Sequence, residues 1–389
     1  MMVRTLCASA VTLALLAAPT VAQNKLKVGF IATMSGPGGS LGKDMVDGFM
    51  LGIEHAGGKL GGVETEVIVG DDQLKPDVGL QVAEKMLQRD KVDIMAGVIF
   101  SNVMMAIYKP IVDAKVFMVS TNAGPSPIAG AQCSPYFFSA SWQNDQAHEA
   151  MGKYLQDKGY KRVYLMAPNY QAGKDALSGV KRYYKGEVAG EVYTTVNQPD
   201  YSAEIAQMAA AKPDALYVFY PGGMGINFVK QYAQAGMKDK VPMHSAFTVD
   251  TTTLPAQGDA ALGLLGTAFW TDGLDNPVNK KFVDAFVAKH NRVPSTYAAQ
   301  SYDGALLIDS ALKATGGKVS DPQAFGAAMR KADFKSVRGD FKFNTNQFPV
   351  QNFYLFDVVK RPDGKLGTGY KSVVFQNHAD AYAKDCAMK

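Results

Sequence analysis

Short apolar segments alternate with amphipathic ones along most of this 389-residue chain, and no other feature restricts its possible folds as strongly. Apolar runs bounded by Gly, Pro and Asp predict strands that are buried on both faces, while the intervening patterns predict helices. Strands that alternate with helices form parallel sheets, because each return to the same edge of a sheet needs a crossover. The pattern runs once, restarts near residue 144 and runs again, so we expect two α/β units.

The two sets of predicted elements are similar in size. The first set has strands at 27–33, 63–70, 92–98 and 116–120, and helices at 42–56, 76–89 and 102–113. The second set has strands at 161–167, 187–194, 214–219 and 241–246, and helices at 144–158, 172–185, 201–210 and 223–235. Two such sets predict two doubly wound parallel-sheet lobes rather than one large sheet.

The last third of the chain has a different pattern. It predicts helices at 278–290, 297–314 and 321–331, and then strands at 352–360 and 370–375 joined by a Pro-Asp-Gly turn. We expect the helices to pack back on the first lobe and the strands to complete the second. The chain would then cross between lobes three times, near 140–144, 268–273 and 341–349. The predicted limits are 23–141 with 272–344 for lobe 1, and 142–271 with 345–389 for lobe 2.

Residues 1–22 have the pattern of a secretion signal. Arg4 supplies the basic start, residues 11–18 the apolar middle, and Thr20-Val21-Ala22 the small residues before a cleavage site. The apolar run is too short to span a bilayer, although an uncleaved anchor is the alternative. We therefore expect export, with cleavage near Ala22.

Charge and cysteine content narrow the possible partners. The net charge of +4 is small for this length, and no basic run with interleaved aromatic residues occurs, so nucleic acid is not an expected partner.

Two cysteines lie beyond the signal, Cys133 and Cys386. Their spacing is too long for a metal knuckle, and an exported chain can pair them. We predict a disulfide, with two free thiols as the alternative.

A glycine-rich loop follows the first strand, at residues 34–43, and resembles a phosphate-binding loop. A Walker loop fails there, because Pro37 stands in place of its first glycine and Asp44 follows Lys43 where Ser or Thr belongs. The dinucleotide fingerprint also fails, because Leu41 occupies the position of its third glycine. We therefore expect neither a nucleotide nor another cofactor.

Signatures of hydrolysis and metal binding are also missing. No Gly-x-Ser-x-Gly motif occurs, and the zinc-protease pattern that begins at His148-Glu149 has Gly152 where the second His belongs. The pair Asp71-Asp72 could hold a metal, but paired acids in a polar turn are usually solvated. The sequence therefore predicts a protein that is not an enzyme and has no metal site, and an exported enzyme is the weaker alternative.

Polar and aromatic loops remain at the carboxyl ends of the predicted strands, where open α/β sheets bind ligands. The first-lobe loops carry hydroxyl and amide groups, which suit a carboxylate; they span 34–41, 100–102 and 120–125. The second-lobe loops carry aromatic rings, which suit an apolar body; they span 169–171, 220–223 and 247–248. Together they predict a ligand cleft between the lobes.

With these loops in order behind a signal, the chain resembles the type I periplasmic solute-binding proteins of ABC importers, in their leucine/isoleucine/valine-binding branch. The resemblance covers nearly the whole mature chain. The motifs that carry it are Thr33-Met34-Ser35-Gly36-Pro37, Asp71-Asp72, Ser101, Ser120-Thr121-Asn122-Ala123, Gln231-Tyr232-Ala233-Gln234-Ala235-Gly236 and Tyr302-Asp303-Gly304-Ala305. It implies two lobes joined by three crossovers, a periplasmic monomer, a permease partner and a ligand trapped as the lobes close.

The resemblance also implies site residues. A carboxylate would be held by Ser101 and by the Asn122, Ala123 and Gly124 groups. The side chains that would wall the rest of the ligand are Leu41, Tyr170, Tyr220, Phe247 and Tyr302.

One departure from the family bears on the ligand. Amino-acid-binding members carry an acid after the fourth strand of the second lobe, but residues 244–248 contain none before Asp250. A buried ammonium without a countercharge costs several kcal/mol. The stretch 133–138 also looks like members that bind aromatic acids. We therefore expect a benzoate- or phenylpropenoate-like acid. The alternatives are a hydrophobic amino acid, should Asp250 reach inward, and a ligand-sensing receptor domain.

Overall fold

The computed structural model describes residues 25–388. The predicted signal peptide lies outside the described residues. Within 25–388, no helix combines the length and the apolar character needed to cross a membrane.

The first lobe is built on a sheet with strand order β2-β3-β1-β4-β5-β6. All its strand pairs are parallel except the short β2–β3 hairpin. Its strands are β1 Leu26–Ala32, β2 Lys59–Leu60, β3 Val63–Asp71, β4 Ile94–Gly97, β5 Phe117–Ser120 and β6 Phe137–Ser139. Its first helices are α1 Gly39–His55, α2 Pro76–Lys85, α3 Ser101–Asp113 and the short α4 Ser126–Ala129.

The second lobe repeats the plan after the chain passes through residues 140–145. Its helices are α5 Gln146–Asp157, α6 Gln171–Tyr183, α7 Ser202–Ala211, α8 Gly223–Gln234 and α9 Leu254–Gln257. Its parallel strands are β7 Arg162–Pro168, β8 Glu187–Thr194, β9 Ala215–Val218, β10 Met243–Ala246 and β11 Leu265–Ala268. They lie side by side in the order β11-β10-β9-β7-β8.

The rest of the chain is divided between the two lobes. Three helices, α10 Pro277–His290, α11 Thr296–Ala314 and α12 Pro322–Lys331, belong to the first. Three strands, β12 Lys342–Phe343, β13 Pro349–Lys360 and β14 Leu366–His378, extend the second sheet. Helix α11 crosses α1 closely at Gly48, where a Cβ atom would lie 2.1 Å from the Ala298 carbonyl oxygen. Only glycine permits this approach.

The predicted fold class is therefore confirmed: two doubly wound lobes joined by three crossover segments. The expectation of parallel sheets needs a correction at the sheet edges. The hairpin turn at 361–365 reverses the chain, so β14 pairs antiparallel with β13, and β13 also pairs antiparallel with β11. The residue limits proposed for the lobes stay a prediction.

A disulfide ties the C-terminal tail to the first lobe. Cys133, which follows α4, is bonded to Cys386, which follows β14, with a sulfur–sulfur distance of 2.05 Å. Nearby, the Asn346 amide donates to the Ala129 carbonyl oxygen at 2.8 Å and to Asp380 Oδ1 at 3.0 Å. The tail thus bridges the loop after α4 and the third crossover segment.

Candidate functional site

A small cavity lies between the lobes. Its walls come from the carboxyl ends of β4, β5, β7, β9 and β10, from the first crossover segment and from the start of α11. Such strand ends are where open α/β sheets bind ligands. The lining residues are Ile99, Phe100, Ser101, Asn122, Trp142, Asn144, Tyr170, Ala172, Phe219, Pro221, Phe247 and Tyr297.

One end of the cavity offers hydrogen-bond donors. Ser101 is the first residue of α3, and its Oγ accepts a hydrogen bond from Asn144 Nδ2 at 2.9 Å. Because that oxygen is the acceptor, its own proton remains available to a ligand. The first N–H groups of a helix also have no partner within the helix, and they favour anions. This end can therefore bind a carboxylate.

Two asparagines fix the geometry of that end. Asn122 Nδ2 donates to the Ile99 carbonyl oxygen at 2.6 Å, and Asn122 Oδ1 accepts from Gln300 Nε2 at 2.7 Å. Asn144 Oδ1 accepts from the Gly124 amide at 2.9 Å. Both side chains are buried and hold the loops that carry Ser101 in place.

Aromatic rings form the rest of the wall. Tyr170 stacks on Phe219 with ring centroids 6.3 Å apart, and it also contacts Phe100. Phe247, which also lines the cavity, packs on Trp142 with ring centroids 4.4 Å apart. A wall made of flat aromatic rings suits a planar apolar body.

The lobes touch each other around this cavity, so the structure shows a closed arrangement. Asp175 on α6 accepts from Ser126 Oγ at 2.7 Å and from the Ser126 amide at 3.1 Å, and Ser126 begins α4 of the first lobe. On another side, the turn at Gly222 approaches Pro37 so closely that a Cβ would lie 2.9 Å from its carbonyl oxygen. Gly222 also has a φ of +62°, which favours glycine.

Asp175 is a buried carboxylate that the closed arrangement supplies with donors. Besides Ser126, Asn144 Nδ2 and Gln171 Nε2 donate to it at 2.9 and 2.8 Å. Burial raises its pKa, although these hydrogen bonds act in the opposite direction. The Ser126 contact therefore lowers the free-energy cost of keeping the buried Asp175 carboxylate charged.

Comparison with known proteins identifies the family. Residues 25–365 match the sequence model of the periplasmic binding proteins. The chain belongs to this family. Its members capture solutes and are not enzymes, and the family implies a periplasmic location.

Relatives of this periplasmic binding protein cover nearly its whole length. Leu/Ile/Val-binding protein homolog 6 of Brucella melitensis is 29% identical over 360 residues, which are 90% of this chain and 91% of the relative. A solute-binding protein of an R. palustris ABC transporter, solved with benzoate, is 32% identical with a TM-score of 0.88, covering 94% of this chain and all of the other. A second, from Rhodopseudomonas palustris BisB5, was solved with 3,4-dihydroxybenzoic acid; it is 31% identical with a TM-score of 0.84, covering 92% and 99%.

Four of the nine ligand-binding residues predicted from the sequence line the cavity of this binding protein. They are Ser101, Asn122, Tyr170 and Phe247. All four follow strand ends or begin the next helix, so the topological rule located them.

Tyr220 and Tyr302 lie elsewhere. Tyr220 is in the core of the second lobe, where it stacks on Phe228 and bonds to Thr194, while its neighbour Phe219 lines the cavity. Tyr302 bonds to His55 Nδ1 at 2.8 Å, away from the cavity. Tyr297 lines the cavity in the place expected for Tyr302. The two residues are five positions apart on α11, so their side chains point in directions that differ by about 140°.

The remaining three predicted residues, Leu41, Ala123 and Gly124, do not line the cavity. The Ala123 amide donates to the Val98 carbonyl oxygen at 3.1 Å, and the Gly124 amide donates to Asn144, so neither amide is free for a carboxylate. Leu41 is fully buried against the Gly222 turn, and it closes the cleft beside the cavity instead of lining it.

Sequence reasoning missed Trp142, Asn144, Phe219 and Tyr297. The first two lie in the segment 140–144, which was predicted as a crossover. A ligand trapped between closing lobes lies beside the segments that join them. The predicted crossover at 140–144 could therefore have indicated Trp142 and Asn144 as lining residues.

Asp71 and Asp72 have structural roles in the turn after β3. Asp72 accepts from Thr33 Oγ1 at 2.5 Å and from the Leu74 amide at 2.8 Å, and Asp71 accepts from the Met34 amide at 2.9 Å. They join the loops after β1 and β3. Across residues 25–388, no group of three or more His, Cys, Asp or Glu side chains has the arrangement of a metal site.

Proposed function

We propose that this protein captures a small aromatic carboxylate between its lobes and delivers it to the permease of an ABC importer. One observation carries the ligand assignment: the Ser101 hydroxyl, with its proton free, lies at the start of α3 and faces a slot walled by aromatic rings. The carboxylate would bind at the Ser101 end, and the ring would lie between Tyr170 and Phe247. The two relatives solved with benzoate and 3,4-dihydroxybenzoic acid support this class of ligand.

A hydrophobic amino acid is the second candidate, because the Brucella relative is named as a Leu/Ile/Val-binding protein homologue. Its ammonium group would need a countercharge. The residues that line the cavity include no acid, and the buried Asp250 lies outside its wall. This charge requirement places the amino acid second.

Thermal-shift measurements with benzoate, cinnamate and leucine test the assignment. A ligand at 100 times its Kd stabilises the folded state by about 2.7 kcal/mol. We expect the aromatic acids to raise Tm and leucine to leave it unchanged. If leucine alone raised Tm, a hydrophobic amino acid would replace the aromatic acid as the proposed ligand.

Ser101→Ala should weaken binding of the aromatic acid by about 1–3 kcal/mol, or roughly 5- to 150-fold in Kd, because it removes a buried hydrogen bond to a charged group. Isothermal titration measures the change, and Ser320→Ala on the exposed surface is the matched control. If the Kd of the Ser101 variant equals that of wild type, Ser101 does not hold the ligand.

Ser126→Ala should weaken binding without touching the ligand. The hydroxyl donates to the Asp175 carboxylate across the lobes, and such a bond contributes about 1.5–3 kcal/mol to the closed state. Closure and binding are linked, so we expect Kd to rise roughly 10- to 150-fold when closure is unfavourable without ligand. Small-angle scattering should show a larger radius of gyration at subsaturating ligand. An unchanged Kd would mean that this contact does not control closure.

The predicted periplasmic export by residues 1–22, with cleavage near Ala22, is part of this proposal. So are the permease partner and the monomeric state. Mass spectrometry of the secreted chain tests the first, because a mature protein that retains residues 1–22 would contradict it.

A further inference from the structure

Asn144, in the first crossover segment, is fixed to the first lobe at the edge of the second. Its backbone amide donates to the Gly124 carbonyl oxygen at 2.8 Å, and its Oδ1 accepts from the Gly124 amide at 2.9 Å. These two bonds hold Asn144 on the loop that follows β5. The next residue, Asp145, already packs on α6 of the second lobe, where a Cβ at Gly179 would lie 2.6 Å from the Asp145 carbonyl oxygen.

The side-chain nitrogen of Asn144 donates to one residue of each lobe. Ser101 Oγ accepts from it at 2.9 Å in the ligand cavity, and Asp175 Oδ2 accepts from it at 2.9 Å on α6. An amide NH₂ group has two protons, so these bonds use both of them. One planar group therefore contacts both the hydroxyl proposed to bind the ligand and the carboxylate that joins the lobes.

Asp175 receives Asn144 and Ser126 at the same oxygen. Its Oδ2 accepts from the Ser126 amide at 3.1 Å as well as from Asn144, while its Oδ1 accepts from Ser126 Oγ at 2.7 Å. Both donor residues are held by the first lobe, and the acceptor belongs to the second. A movement of α6 that breaks the Ser126 contact therefore also displaces the acceptor of Asn144.

The planar shape of the Asn144 amide links its partners. It cannot rotate toward one of them without worsening the hydrogen-bond angles to the others. With Asp175 in place, the amide donates to Ser101 Oγ, so the Ser101 proton is directed to the ligand. A ligand that holds Ser101 in turn keeps the amide in the direction that Asp175 requires. Such a coupling is reciprocal, because each event favours the other by the same free energy.

From these contacts we propose that Asn144 is a positioning residue that couples ligand binding at Ser101 to lobe closure at Asp175. Protein groups use both of its side-chain protons, so it acts through Ser101 and not on the ligand directly. This inference rests on the proposed function, because it takes Ser101 as the group that binds the carboxylate.

A double-mutant cycle on benzoate affinity tests the coupling. Isothermal titration gives Kd for Ser101→Ala, Ser126→Ala and their combination, first in otherwise wild-type protein and then together with Asn144→Ala. Independent sites give fold-changes in Kd that multiply. With Asn144 present, the combined variant should bind at least about threefold more tightly than the product predicts, because the first substitution has already released the amide. With Asn144→Ala, the fold-changes should multiply to within about twofold.

Asn144→Asp supplies a second readout. It keeps the side-chain shape and the acceptor for the Gly124 amide, but it replaces the nitrogen with a carboxylate oxygen that faces Asp175. Because two buried like charges repel, we expect the closed arrangement to be lost. Kd for benzoate should rise roughly 100-fold or more. At a benzoate concentration that saturates wild type, the radius of gyration from small-angle scattering should remain at its ligand-free value.

Asn197→Asp is the matched control, because it adds the same charge in an exposed turn and should bind benzoate like wild type. Wild-type affinity in Asn144→Asp would overturn the inference. So would fold-changes that multiply in both backgrounds, or the same departure from multiplication in both; the proposed function would then be unaffected. If Asn144→Asp does not fold, the cycle with Asn144→Ala decides. If wild type binds neither benzoate nor cinnamate, the proposed function fails and this inference fails with it.

Discussion

Arg338→Gln is expected to lower the free energy of unfolding by about 3–5 kcal/mol, because it leaves the buried Asp303 carboxylate without its cation. Arg338 Nε lies 2.9 Å from Asp303 Oδ2, and both side chains are buried. The remaining guanidinium nitrogens donate to the Ala140 and Ser141 carbonyl oxygens at 2.6 and 2.8 Å. One side chain of the loop between α12 and β12 therefore holds the first crossover segment against α11.

Urea denaturation followed by circular dichroism measures this loss. Arg89→Gln removes an exposed arginine and should change stability by less than about 0.5 kcal/mol. The double variant Arg338→Met with Asp303→Leu removes both charges, and it should recover part of the loss. A single variant as stable as wild type would show that the ion pair does not hold the first crossover segment.

The fold was predictable because its signal is repeated. Buried parallel strands such as β4 and β5 are short apolar runs, and helices between them carry a polar face, so periodicity separates them. The antiparallel pairing of β13 with β11 was not predictable, since it depends on where the chain returns after α12. Neither periodicity nor turn chemistry records that position.

The site was predictable only to the level of loops. Ser101 and Phe247 could be placed because the loops that follow parallel strands lie at the ligand edge of the sheet. The choice between Phe219 and Tyr220 depends on which of two adjacent side chains turns inward, and neighbouring extended residues point in opposite directions. The Gly124 amide depends on a tertiary contact with Asn144, 20 positions along the chain, which no local pattern reveals.

Asp145→Asn is expected to change how stability depends on pH. Asp145 lies at the end of the first crossover segment and is fully buried. Arg182 binds it at 2.7 Å and also binds Glu149, which contacts His378; the Tyr382 hydroxyl donates to Asp145 at 2.8 Å. Burial, helped by the neighbouring Asp175 carboxylate, raises the pKa of Asp145 from 3.8 to about 7.

The sign follows from proton binding. Between pH 4 and 7 the folded state holds a proton on Asp145 that the unfolded state has released. Its contribution to stability is therefore complete below about pH 4, and it is lost as pH rises through 7, with a slope of up to about 1.4 kcal/mol per pH unit. Burial lowers the pKa values of His148 and His244 to about 3 and 4. Because these side chains are neutral in the folded state, they make the protein less stable as pH falls below 6.5, which is the opposite direction. Their contributions are common to wild type and variant.

Urea denaturation of both proteins between pH 5 and 8 isolates the Asp145 contribution. The stability of Asp145→Asn relative to wild type should rise by about 2–3 kcal/mol from pH 5 to pH 7 and then level off. Asp284→Asn, on an exposed side chain, should give a curve parallel to that of wild type. Parallel curves for Asp145→Asn would mean that Arg182 keeps Asp145 ionised across this range. The first crossover segment would then be held by a permanent ion pair. In that case Asp145 would not make the protein less stable as pH rises.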